Sequence, residues 1–118
     1  MIKGVHSVII WTEDLQRLTG FYRDVIGFKA QMESEGFVVF EGAPSQLLLG
    51  KHSEVHGAAR DPNRVMVGLV VDDCQAEYER LRGKGVEFVR PPSKEDDGLI
   101  IATFKDVDGN VLQLFQEG

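Results

Sequence analysis

At 118 residues, with 42% of them hydrophobic and 27% charged, the chain has the balance of one ordinary globular domain and excludes a disordered or membrane-spanning polypeptide. A net charge of −6 argues against a nucleic-acid partner, because phosphate binding draws on clustered Lys and Arg. Met1-Ile2-Lys3-Gly4 leads into the first apolar segment without an export signal, and a lone Cys74 excludes an internal disulfide, so a cytoplasmic protein away from membranes is expected.

In chain order, the first expected strand covers residues 5–12 and the first helix about residues 14–26. Leu15, Leu18, Tyr22, Val25 and Ile26 recur at three- and four-residue steps, between Asp14 as cap and Gly27 as stop. Short strands follow at 28–32, 37–40 and 46–49, separated by Glu33-Ser34-Glu35-Gly36 and Glu41-Gly42-Ala43-Pro44-Ser45. Residues 50–64 turn polar and read as a connection. A strand at 65–71 and a helix at about 73–82 come next, the helix carrying Cys74, Tyr78 and Leu81 on one face. The last strands are expected at 86–89, 99–104 and 111–116. A proline-stiffened, charged loop spans 90–98, and Asp106-Val107-Asp108-Gly109-Asn110 supplies a tight hairpin. Arg80, Arg82 and Lys84 gather where cations complement the negative end of the second helix.

The second half repeats the plan of the first. Ser7-Val8-Ile9-Ile10-Trp11-Thr12-Glu13-Asp14-Leu15 and Met66-Val67-Gly68-Leu69-Val70-Val71-Asp72-Asp73-Cys74 are both apolar strands running into an acidic helix cap, so the chain reads as a duplicated βαβββ unit. The stretch Glu13-Asp14-Leu15 with Phe21-Tyr22-Arg23-Asp24-Val25-Ile26-Gly27-Phe28 resembles the opening motif of the vicinal oxygen chelate superfamily, which includes glyoxalase I, extradiol dioxygenases and bleomycin-resistance proteins. Phe104 to Leu114 is similar to that family's terminal hairpin, usually Asp-Pro-Asp-Gly-Asn, with Val107 in place of the proline. The resemblance implies an α+β fold. Two βαβββ modules, at about 5–50 and 65–116 within a single 1–118 domain, would form an eight-stranded curved mixed sheet around a cavity. It also implies a homodimer, since such modules pair within a chain or exchange between chains.

In the family's enzymes a divalent metal in the cavity chelates neighbouring substrate oxygens, and such a cation needs imidazole or carboxylate donors with an open position. The four ligand positions implied by the resemblance fall here on Ser7, Leu48, Met66 and Gln113, of which only Gln113 offers even a weak neutral amide. No cofactor is therefore expected. The alternative is a displaced divalent-metal site using His6 and Gln113, belonging to a lyase, isomerase or dioxygenase. For His6 to serve, the strand register must slip by one, turning Val8 and Ile10 into the groove and Ile9 and Trp11 out of it.

Other chemistry-bearing residues have plainer readings beside the functional ones. His52 and His56, with Glu54, have helical spacing for zinc but sit in the polar connection, and Cys74 opens a helix yet belongs to its apolar stripe. Glu41, Asp106 and Glu117 are candidate general bases without an assembled partner. By alternation Ser7, Ile9, Trp11, Met66, Gly68, Val70, Val111, Gln113 and Phe115 line the groove together with Leu48. That lining is mostly apolar and suits a small, flat or greasy ligand, unless the side chains fill the space themselves. The expectation is a metal-free, small-molecule-binding protein, comparable to the drug-sequestering members of that superfamily.

Overall fold

The computed structural model describes every residue except Ile2, Gly4, Ala43, Pro44 and Gly118, so the expected lead-in at 1–4 and the turn at 41–45 lie partly outside the described residues. The chain divides into two compact units, Met1–Gly57 and Ala58–Gly118.

The first unit contains β1 (Ser7–Thr12), α1 (Leu15–Gly20), a π-helical segment (Phe21–Ile26), β2 (Ala30–Glu33), β3 (Phe37–Phe40) and β4 (Gln46–Lys51). Its strands form one mixed sheet in the order β1-β4-β3-β2, with β1 parallel to β4 and the other pairs antiparallel. The second unit contains β5 (Val67–Val70), α2 (Cys74–Gly83), β6 (Phe88–Lys94), β7 (Ile100–Lys105) and β8 (Val111–Gln116), in the order β5-β8-β7-β6 with the same directions. The duplicated βαβββ plan is thus present as two four-stranded mixed sheets of identical topology.

Each core lies between a sheet and its helix. In the first unit Leu18, Tyr22, Val38, Phe40 and Leu49 are buried, with Val38 paired to Leu49 across β3 and β4. Tyr22 stacks on Phe28 and lies beside Phe21 and Phe40. The second unit repeats this with Cys74, Leu81, Ala102, Phe104, Leu112 and Leu114, while Tyr78 meets Phe88 edge-on at 4.7 Å. Both helices start where the sequence predicts. The Asp14 carboxylate accepts from the Arg17 N–H and the Asp73 carboxylate from the Ala76 N–H, each taking up a donor that the first turn leaves unpaired.

Three expectations need correction. The first helix is not α-helical through Ile26: it widens after Gly20, a weak helix former, and the broader turn seats the consecutive rings of Phe21 and Tyr22 inside. It stops at Gly27, whose φ of 98° is left-handed as the stop signal requires. Strand β6 is not confined to 86–89 but runs through Pro91 and Pro92, in the span expected as a loop. Its place at the sheet edge leaves one side without ladder bonds, and the register shifts beside Arg90 absorb the prolines. The first strands of both units start later than expected, so Val5 and Met66 lie just outside them. Among the described residues no helix is long and apolar enough to cross a membrane.

Candidate functional site

Each sheet has one face under its helix and one face that no helix of its own unit covers. In the first unit the pairing sorts the uncovered face into three rows. Ser7 lies beside Gln46, whose amide donates to the Gln31 side chain at 2.7 Å, so this end is polar. The next row is Ile9, Leu48, Val39 and Met32, entirely apolar, with Leu48 itself buried between its more open neighbours. The third is Trp11, Gly50 and Phe37. Ile9 and Trp11, on the edge strand β1, are about 40% exposed although both belong to these apolar rows. The register therefore places Ser7, Ile9 and Trp11 on this face as expected from alternation, while Ile10 pairs with the buried Leu49 on the helix side. His6 is exposed and stands one residue ahead of β1, so the slipped register that would recruit it is not adopted.

Trp11 occupies the space that a side chain at position 50 would need. A Cβ built on Gly50 would lie 2.4 Å from Trp11 Cζ3 and 3.0 Å from a Phe37 ring carbon, so only glycine lets the indole settle onto the strand. Phe37 lies 6.1 Å from the indole, and His52 meets it edge-on at 5.4 Å. The sequence reading missed Gly50, Phe37 and His52 as parts of this face. It ended β4 at Leu49, and continuing the alternation by one residue would have placed Gly50 opposite Trp11.

In the second unit the uncovered face carries Gly68 beside Gln113 and Thr103, and Val70 beside Phe115 and Ile101. Phe115 leans over Gly68, its Cε1 only 2.9 Å from where a Cβ would be. The device of the first unit recurs with strands exchanged: aromatic on the first strand and glycine on the last there, glycine on the first and aromatic on the last here. Val111 is buried rather than open, whereas Val70 is largely exposed. Met66 is partly exposed and precedes β5.

The divalent metal implied by the resemblance does not fit these residues. Its positions hold a hydroxyl, a leucine, a thioether and an amide, and the Gln113 amide donates its N–H to the Thr103 hydroxyl at 3.3 Å. Among the described residues no group of three or more His, Cys, Asp or Glu is arranged to hold a metal ion.

The loop histidines part company. The segment after β4 is not helical, so His52 turns to Trp11 while His56 Nδ1 lies 3.5 Å from Glu13. Glu13 also accepts from the Gly57 N–H at 2.8 Å. That bond, followed by His56, holds its carboxyl below the usual carboxylate range. Of the candidate bases, Glu41 and Glu117 are exposed beyond strand ends. Asp106 is buried in the hairpin and accepts from the backbone N–H groups of Asp108 and Asn110 and from the Asn110 side chain, which makes it a builder of the turn. Arg80 pairs with Glu77 on its own helix, and Arg82 lies over the Tyr78 ring at 5.2 Å.

Cys74 is fully buried, and burial pushes its thiol above the ordinary range, so it is an inert packing residue. In native protein its reaction with a thiol reagent should be slower than in urea by on the order of a hundredfold, because modification must wait for opening. Equal rates would show that the thiol is accessible.

A separate open depression of about 800 Å³ lies on the helix side of the first unit, lined by Glu13, Asp14, Arg23, Glu33, Glu35 and Lys51 among others. Arg23 there is engaged by Asp24 and Glu33. Charged residues dominate its lining, and it shares none of the residues of the uncovered sheet face.

Comparison with known proteins agrees with this architecture. Residues 4–114 match the family model of the Glyoxalase/Bleomycin resistance protein/Dioxygenase superfamily. The chain is 28% identical over 124 residues to the uncharacterized protein YetH of Bacillus subtilis (strain 168), covering 97% of this chain and 98% of YetH. A crystal structure of a member of the same superfamily from Sphaerobacter thermophilus DSM 20745 superposes with a TM-score of 0.77 at 27% identity, covering 98% of each chain. A glyoxalase/bleomycin resistance protein/dioxygenase from Nocardioides superposes equally well at 23% identity, covering 99% of this chain and 85% of its own, and supports the fold alone. With its motifs, its repeated topology and a family match over nearly its whole length, the chain belongs to the glyoxalase/bleomycin resistance protein/dioxygenase superfamily.

Proposed function

We propose that the chain is a metal-free binding protein for a small, largely apolar or aromatic molecule, taken up on the helix-free sheet faces. The observation that carries the reading is the composition of the first unit's face. Ile9, Leu48, Val39, Met32, Trp11 and Phe37 form adjoining apolar rows, and Ile9, Trp11 and Met32 remain 40%, 42% and 50% exposed. Large apolar side chains in a contiguous, uncovered set are the usual mark of a surface with a partner. The identity of Ser7, Leu48, Met66 and Gln113 supports binding over metal-dependent chemistry, since none is a usual ligand of a divalent cation. Cytoplasmic residence and a homodimer complete the reading, the latter on the family's habit of pairing modules.

Trp11 is the chain's one tryptophan, so a single indole N–H resonance reports on this face. Titration with 2-ethylnaphthalene should shift that resonance saturably, and Trp11→Ala, whose binding is read by calorimetry beside the native protein's, should bind about tenfold or more weakly by losing the largest aromatic surface. Absence of saturable binding would defeat the proposal. So would purification with stoichiometric, tightly held nickel, zinc, iron or manganese, which would favour the lyase, isomerase or dioxygenase alternative.

A further inference from the structure

We infer that the ligand carries a hydrogen-bond acceptor on its aromatic rim, a carbonyl or carboxylate, and that His52 recognises it; the inference rests on the binding role proposed above. Three observations converge on this corner of the first unit. Trp11 is seated on Gly50, in space that any other residue there would fill, while the residue as a whole stays 42% exposed. One side of the ring system is therefore fixed against the strand, and the exposed remainder is a ready stacking surface. Phe37, tilted 41° to the indole at 6.1 Å, extends the aromatic area along the same row.

The second observation is the orientation of His52. Its ring stands 75° to the indole at 5.4 Å, so the two rings form a corner rather than a stack. A flat molecule lying along the indole meets the imidazole as a wall. The corner is anchored by backbone: the His52 N–H donates to the Thr12 carbonyl at 3.1 Å, tying the residue to the end of β1.

The third is its tautomer. The Glu54 backbone N–H donates to His52 Nδ1 at 3.1 Å. A nitrogen that accepts has no proton, so the proton of the neutral ring sits on Nε2. Nε2 has no hydrogen-bond partner among the described residues and is not among the buried unpartnered atoms, where only the Thr19 hydroxyl appears. The ring thus holds an unused donor beside an apolar shelf. A site of this kind, mostly apolar with one placed polar group, fixes the orientation of a flat ligand and rejects analogues that lack the matching acceptor. On the corresponding face of the second unit the Gln113 amide is already turned to Thr103.

The test compares 2-acetonaphthone and 2-naphthoate with 2-ethylnaphthalene, which has the same ring system without the oxygen, by the indole resonance of Trp11. Native protein should bind at least one oxygenated probe about five- to tenfold more tightly than the hydrocarbon, the usual return of one hydrogen bond. His52→Phe keeps an aromatic wall but removes the donor. It should erase that preference, so that the oxygenated probes and 2-ethylnaphthalene bind alike, and His52→Gln, which restores an N–H donor, should recover part of it. If the hydrocarbon binds as tightly as both oxygenated probes, or if His52→Phe leaves the preference intact, the role of His52 is wrong although the apolar face still binds. If no probe binds, the binding role itself fails. Circular dichroism of both variants excludes misfolding as the cause.

Discussion

Asp106→Ala should destabilise the protein by about 3 kcal/mol, read as a fall in melting temperature of roughly 10 °C. The carboxylate is 6% exposed, and one oxygen accepts from two backbone N–H groups, those of Asp108 at 2.8 Å and Asn110 at 2.9 Å. The other accepts from the Asn110 side chain at 2.8 Å. Removing it leaves three part-buried donors without this acceptor, and the cost of leaving them unpaired exceeds the net value of the bonds themselves. The hairpin also holds chain beyond itself: the Ala59 N–H donates to the Asp108 carbonyl, so the start of the second unit should loosen with the turn. Asp106→Asn retains an acceptor oxygen and should recover part of the loss. An Asp106→Ala protein of native stability would return this residue to the candidate bases.

Gly50→Ala is expected to be the most damaging single methyl addition on the uncovered faces, costing about 1–3 kcal/mol. At 2.4 Å from Cζ3 and 2.6 Å from Cε3 the new carbon cannot coexist with the indole in place. Phe37 blocks a second direction at 3.0 Å, so the indole must leave the strand rather than shift within it. Denaturant unfolding measures the cost, and the indole resonance should move in the absence of any ligand. Gly68→Ala is milder by the same argument, because one ring edge of Phe115 at 2.9 Å is the only close neighbour and a ring can tilt. If Gly50→Ala were neutral in both stability and indole environment, Trp11 would not be seated as described, and the shelf inferred beside His52 would lose its floor.

The sequence made the repeat legible because both halves carry the same punctuation, an apolar strand, an acidic cap and a glycine stop, and these are local signals. The order β1-β4-β3-β2, which joins chain segments far apart, was not legible, and the resemblance implied only a curved mixed sheet around a cavity. Residues in strand centres were assignable to faces by alternation, as Ile9, Trp11 and Gln113 show, because a period of two leaves little freedom once the register is known. What escaped were features made by the meeting of two segments. Nothing around Gly50 announces that an indole from β1 will lie on it. Nothing in Lys51-His52-Ser53-Glu54 says that the Glu54 N–H will fix the histidine tautomer. Prolines 91 and 92 misled for a related reason: they exclude a central strand but not an edge one, and edge position is a property of the assembled sheet.

That edge has a bearing on aggregation. A free strand margin normally invites a foreign strand to add, and repeated addition is the route to cross-β aggregates. Along β6 two consecutive prolines withhold N–H groups, the register breaks beside Arg90, and Arg90 and Lys94 bring positive charge. Replacing Pro91 and Pro92 by valines would leave the folded sheet a longer, smoother margin, on which seeded polymerisation has a template it now lacks.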